Sequence, residues 1–209
     1  MIFMSKGQVE IITAVLIVVI AIGLTSAAYT WGIPLIQKRQ HEALAERVKN
    51  AFDQTKSSSL PNRIEFIANA GSGGETFSLD VDGLWNLNET EDSIQFAFFS
   101  KVSNIAVDDW MPLTQVAGAS CPPSRGIRGE KSSIVCAKAE KFADGYNIYY
   151  KVWFRKLDDL DGNRVFQIDL IQARSSNSTS KSFGILFEKV RQEPEGQKTL
   201  IATEIKILL

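Results

Sequence analysis

Histidine is almost missing from this chain. His41 is the only one, and it lies near the N-terminal end. A catalytic base paired with a nucleophile, or a histidine-based metal site, has no material to draw on. Cysteine is nearly as scarce, with Cys121 and Cys136 only and no Cys-x-x-Cys pair. Charge of one sign is not in excess either, with 23 basic against 24 acidic side chains. That balance gives no polyanion-binding footprint, so nucleic acid is not an expected partner. There is no glycine-rich strand–loop–helix phosphate motif, because Gly71-Ser72-Gly73-Gly74 falls between two candidate strands. No internal repeat of fixed period is visible. These gaps leave no constellation for an enzyme, and neither cofactor nor metal is expected.

The most informative gap is electrostatic. No charged side chain occurs between Glu10 and Lys38. A bilayer-spanning helix needs about 20 apolar residues, and this run exceeds that. Its β-branched residues are mediocre helix formers in water, but lipid enforces the helix because backbone groups there must be satisfied within the segment. Gly23, Ser26, Ala27 and Ala28 cluster in the run, and small residues let helices approach closely. Pro34 is expected to kink or interrupt the helix near Ile33.

Beyond Gln37 the pattern becomes amphipathic. Leu44, Val48 and Phe52 recur every four residues beside Ala45 and Ala51, with charge on the other face. This stripe reads as the half of a long helix that lies on the following domain. Lys56 to Pro61 reads as its end.

The remainder is long enough for one well-cored domain and reads as β. Candidate strands are 63–68, 76–81, 93–101, 133–138, 146–155, 164–173, 181–189 and 199–208. Turn signals such as Asp82-Gly83, Asp144-Gly145 and Asp161-Gly162-Asn163 separate them. The expected class is α+β: a long N-terminal helix followed by an antiparallel β-sandwich-like head. The domain plan is a leader over 1–7, a helix over 8–56 (apolar over 8–36, amphipathic over 37–56) and a head over 62–209. Trp85, Trp110 and Trp153 read as core or rim residues.

Cys121 and Cys136 flank a Pro/Ser/Gly-rich loop and read as a disulfide staple, with two free thiols the alternative. A bridge closing a loop of that length stabilises by about 3 kcal/mol in the chain-entropy model. The acidic run Asp158 to Asn163 lacks the late glutamate of a calcium loop and reads as a hairpin turn, with a weak cation site left open. Asn88-Glu89-Thr90 and Asn177-Ser178-Thr179 fit the N-glycosylation acceptor pattern, in what read as loops.

Glu10 is costly inside lipid and cheaper at an interface. It reads either as a headgroup-level residue or as the partner of a cation. A cut after Gly7 would create such a cation, the new α-amino group of Gln8.

The N-terminal residues resemble archaeal type IV pilin-like precursors, with Lys6-Gly7 as the end of a short leader, Gln8 as the mature N-terminus and Leu16 nine residues into the mature chain. Glu10 departs from the pattern, since the family's glutamate usually falls where Ile12 stands. The resemblance covers the first 35 to 50 residues. It implies a prepilin peptidase that removes the leader, assembly machinery, a membrane-embedded precursor with an external C-terminal domain, and a helical homopolymer with its helices at the centre. It implies a structural role in a surface filament, for adhesion or in a related appendage.

Other readings stay open. One is a signal-anchored membrane protein with an external binding domain that never polymerises. Another is a secreted protein cut near Ser26-Ala27-Ala28. Counting Lys38, Arg39, Arg47 and Lys49 against Lys6 alone opposes an external C-terminus. The mixed charge contributed by Glu42 and Glu46, and the Lys6-Gly7 junction, favour it.

Overall fold

The computed structural model describes residues 6–114 and 119–209, with side chains from residue 10 onward. The chain is α+β: one long apolar N-terminal helix, then a mostly antiparallel two-sheet domain. It divides into two compact units, Met1–Glu42 and Ala43–Leu209.

Helix α1 runs Lys6–Phe52 without a break. The interruption expected at Pro34 does not occur. Proline removes one i→i−4 hydrogen bond, and the long helical flanks on both sides supply enough others to carry the helix through.

The last turns of α1 belong to the head unit. Val48 and Phe52 are fully buried there, and Leu44, Ala45 and Ala51 pack beside them. The amphipathic stripe therefore does lie on the head. The helix ends at Phe52 rather than near Lys56.

Helix α2 (Leu60–Ala70) replaces the strand expected over 63–68. Leu60, Ile64, Ile67 and Ala68 are buried at helical spacing, while Phe66 is 73% exposed. Ile64, Phe66 and Ala68 also fit the two-residue period of a strand, but the buried set follows the 3.6 period of a helix. Pro61 sits in the first turn, where a missing N–H costs nothing. Gly71 closes the helix at φ 66°, with its N–H donating to the Ile67 carbonyl.

The strands are β1 (Gly74–Ser78), β2 (Leu84–Asn88), β3 (Ser93–Ser100), β4 (Met111–Pro112), β5 (Gly126–Ile127), β6 (Ser133–Phe142), β7 (Gly145–Phe154), β8 (Leu157–Asp158), β9 (Arg164–Gln172), β10 (Asn177–Ser178), β11 (Ser182–Glu195) and β12 (Lys198–Leu208). One sheet has the order β1-β11-β12-β9-β8-β5 and the other β10-β2-β3-β7-β6-β4. Two pairings depart from the antiparallel expectation: β12 with β9, and β5 with β8, are parallel. β11 runs to Glu195, well past the expected end at Lys189, with a bulge between Phe187 and Lys189.

Strand β2 was not expected. Its Trp85 and Leu87 point inward, at 1% and 3% exposure. Trp85 centres an aromatic cluster with ring centroids 4.5 Å from Phe96, 4.9 Å from Phe183, 6.0 Å from Phe77 and 6.2 Å from Phe52. Gly83, just before β2, lets the backbone approach closely: a Cβ there would stand 2.4 Å from the Phe96 ring. One core joins the inner faces of both sheets, α2 and the end of α1.

Candidate functional site

The first candidate is the apolar part of α1. Side chains from Ile11 to Ile36 are exposed around the helix, with Leu24 at 68% and Trp31 at 84%. Among the described residues this is the one helix long and apolar enough to cross a membrane. The span from Glu10 to Ile36 is about 40 Å long, more than the roughly 30 Å of hydrocarbon in a bilayer.

Two of its threonine hydroxyls bond back to the helix's own carbonyls. Thr25 Oγ1 donates to the Ala21 carbonyl at 2.8 Å. Thr30 Oγ1 lies 2.8 Å from the Ser26 carbonyl and 3.1 Å from that of Ala27. Such back-bonding hides hydroxyls that would be costly in lipid or in a helix bundle. This feature was not drawn from the sequence, although Thr at i and a carbonyl at i−4 is a readable signal.

Gly23 has no packing reason among the described residues, since a Cβ there would meet nothing within 4 Å. Leu16 is 58% exposed and Glu10 is exposed. Lys6, Gly7 and Gln8 are described as helical backbone only, and Met1–Ser5 lie outside the described residues.

The second candidate is the outer face of the β10-to-β4 sheet. Cys121 and Cys136 form a disulfide, with Cα atoms 6.4 Å apart. It ties the loop between β5 and the β4 region onto β6. Under it, Cys136, Ile134 and Trp153 form a small second core, with Trp110 against them. Trp110 meets Trp153 edge-on at 5.5 Å. The Lys138 ammonium lies 5.3 Å from the Trp110 ring and 5.4 Å from that of Tyr149. Trp85 and Trp153 are thus buried and Trp110 half-buried.

The sequon asparagines lie in strands rather than loops: Asn88 ends β2 and Asn177 begins β10.

The acidic run after β8 is occupied by the protein's own cations. Asp158 pairs with Lys198 at 2.7 Å and Arg125 at 3.5 Å. Asp159 pairs with Arg164 at 3.2 Å and Arg128 at 3.4 Å. The hydrogen-bonded ammonium of Lys198 holds the Asp158 carboxyl below its ordinary value. These partners neutralise two of the three carboxylates in the run. Among the described residues no group of three or more His, Cys, Asp or Glu side chains is arranged for a metal. His41 is half-buried on α1.

A cleft in the head is bordered by Glu65, Arg128, Lys131 and Phe166. Its charges are matched internally, with Lys131 3.6 Å from Glu65 and Arg128 on Asp159. Glu65 also accepts from Ser132 Oγ, Ser133 N and Ser133 Oγ at 2.7–2.9 Å. The arrangement ties α2 to β6.

No family model, curated protein or solved structure matches the chain.

Proposed function

We propose that this chain is the structural subunit of a surface filament of the archaeal type IV pilin kind, serving in adhesion or a related appendage. It is made as a membrane-embedded precursor with the head outside. A prepilin peptidase cuts after Gly7, Gln8 becomes the N-terminus, and the assembly machinery packs α1 of successive copies together. One observation carries this reading: a helix apolar on every side, with open space over the glycine at position 23 among the described residues, joined to a head that has its own core.

Such a helix cannot stand in water. Burying each Leu or Ile side chain gains roughly 1.5–3 kcal/mol. Small residues at Gly23 and Ser26 to Ala28 allow close helix approach. A contact between unlike surfaces of identical subunits that does not close into a ring yields a helical filament. Glu10, near the start of the mature helix, would face the new Gln8 amine of its own chain or a neighbour.

The test is the N-terminus of the natural protein together with electron microscopy of what sediments from sheared cells. The expected result is a chain starting at Gln8 in thin filaments. A chain that keeps Met1, with no filaments, would instead make it a signal-anchored membrane protein. Loss of the whole apolar segment would make it a secreted one.

A further inference from the structure

The two sequons lie far apart in sequence, yet the fold brings them together. β10 pairs antiparallel with β2, placing Asn177 opposite Asn86 and Ser178 opposite Trp85. Trp85 and Leu87 point into the core, so Asn86 and Asn88 point outward. Asn177, across from Asn86, shares that outer face. Asn88 is one diagonal step away, about 7–8 Å between backbones. Asn177 and both sequon threonines, Thr90 and Thr179, are exposed, and Asn88 is half-buried. β10 is the end strand of its sheet.

We propose that Asn88 and Asn177 are a paired N-glycan acceptor site that covers the β10 edge. This rests on the reading that the head lies outside the cell. In both asparagines the amide oxygen is already committed. Asn88 Oδ1 accepts the N–H groups of Thr90 at 3.0 Å and Glu91 at 3.2 Å. Asn177 Oδ1 accepts from Asn86 Nδ2 at 2.6 Å, while its own Nδ2 lies 3.4 Å from Ser176 Oγ.

Transfer from a polyprenyl-phosphate-linked sugar forms a bond between Nδ2 and the sugar C1. It breaks the C1–O bond to phosphate, which leaves with the electron pair, and Nδ2 releases one proton. The amide keeps its oxygen and one N–H. The hydrogen bonds that hold each side chain through Oδ1 therefore survive the modification, and the folded head can carry it. Gln95, opposite Asn86 on β3, extends the amide-bearing surface beneath the sugars. An open strand edge invites pairing with another chain. Two bulky, solvated groups beside it block that approach and leave this face turned to water in the assembled protein.

The experiment is peptide mass mapping of the protein isolated from its own cells, alongside protease treatment of the intact cells. The expected result is a glycan mass on both Asn88 and Asn177. Thr90→Ala should remove only the first and Thr179→Ala only the second, with the disulfide and helix content unchanged. These variants keep the asparagines and their hydrogen bonds, so loss of fold does not obscure the outcome. Bare asparagines on a head that protease reaches overturn the paired site and leave the filament reading standing. Bare asparagines on a protected head overturn both. Glycan on one asparagine alone, or glycan that neither threonine variant removes, also overturns the pair.

Discussion

Asp92 Oδ1 accepts the backbone N–H of Leu170 at 3.2 Å, and in doing so closes a strand edge. β9 pairs with β12 along one side, but on its other side β8 reaches only Phe166 and Val165. The turn between β2 and β3 supplies the missing acceptors. Glu89 Oε1 takes the N–H of Gln172, and Gln167 Nε2 donates to the other oxygen of Asp92. A carboxylate cap of this kind both satisfies the edge and keeps other strands from it.

The cap has a pH signature. Burial first, and then the charge of Asp169, push the Asp92 carboxyl up to about 6 from 3.8. A pKa raised on folding means that the contribution to stability is full below about 3.8 and is lost as pH rises through about 6. The head should therefore be held back at neutral pH by this group. Asp92→Asn keeps the acceptor for Leu170 and suits the left-handed backbone there, at φ 45°, with the Gln167 amide turned to present its oxygen. Denaturant titration of the full chain in detergent should show a gain on the order of 1 kcal/mol at pH 7, allowing for the group's partial exposure. The dependence between pH 4 and 7 should flatten. An unchanged pH profile would remove Asp92 as its source.

Reducing the Cys121–Cys136 bridge should cost about 3 kcal/mol, because it closes a loop with a sequence separation of 15. Tryptophan fluorescence should change with it, since Trp110 and Trp153 sit in the small core beside the bridge. Denaturation with and without reductant measures both. Equal midpoints would show that the staple is redundant with the packing under it.

Gly23→Leu separates the helix from the assembly. A Cβ at this position would meet nothing within 4 Å among the described residues, and leucine is a better helix former than glycine. Membrane insertion and helix content should hold or improve, while the yield of sedimentable filaments falls steeply. Filaments at normal yield would place Gly23 away from any helix contact.

Phe52→Ala tests how firmly the end of α1 is built into the head. The ring is 2% exposed and lies 5.2 Å from Tyr150 and 6.2 Å from Trp85. Truncation should cost about 3–5 kcal/mol, read as a lower unfolding midpoint of the full chain in detergent. A loss below about 1 kcal/mol would mean that the site collapses around the smaller residue.

By itself the sequence determined the features whose physics is local. An uncharged run between Glu10 and Lys38 has one low-energy state in lipid, and the four-residue recurrence of Leu44, Val48 and Phe52 names the buried face of the helix beyond it. Alternation such as Ile148/Tyr150/Val152 is readable because burial on one side of a sheet repeats every two residues. Tertiary structure decided whatever depends on which distant segment lies alongside. Ile64, Phe66 and Ala68 fit a strand or a helix equally until the core takes Ile64, Ile67 and Ala68 and leaves Phe66 outside. The parallel join of β9 to β12, the closing of the β9 edge by Asp92, the filling of the acidic turn by Lys198 and Arg164, and the pairing of Asn177 with Asn86 beside Asn88 all arise from strand order. Strand order is set by the sum of many long-range burials, which no short window of residues contains.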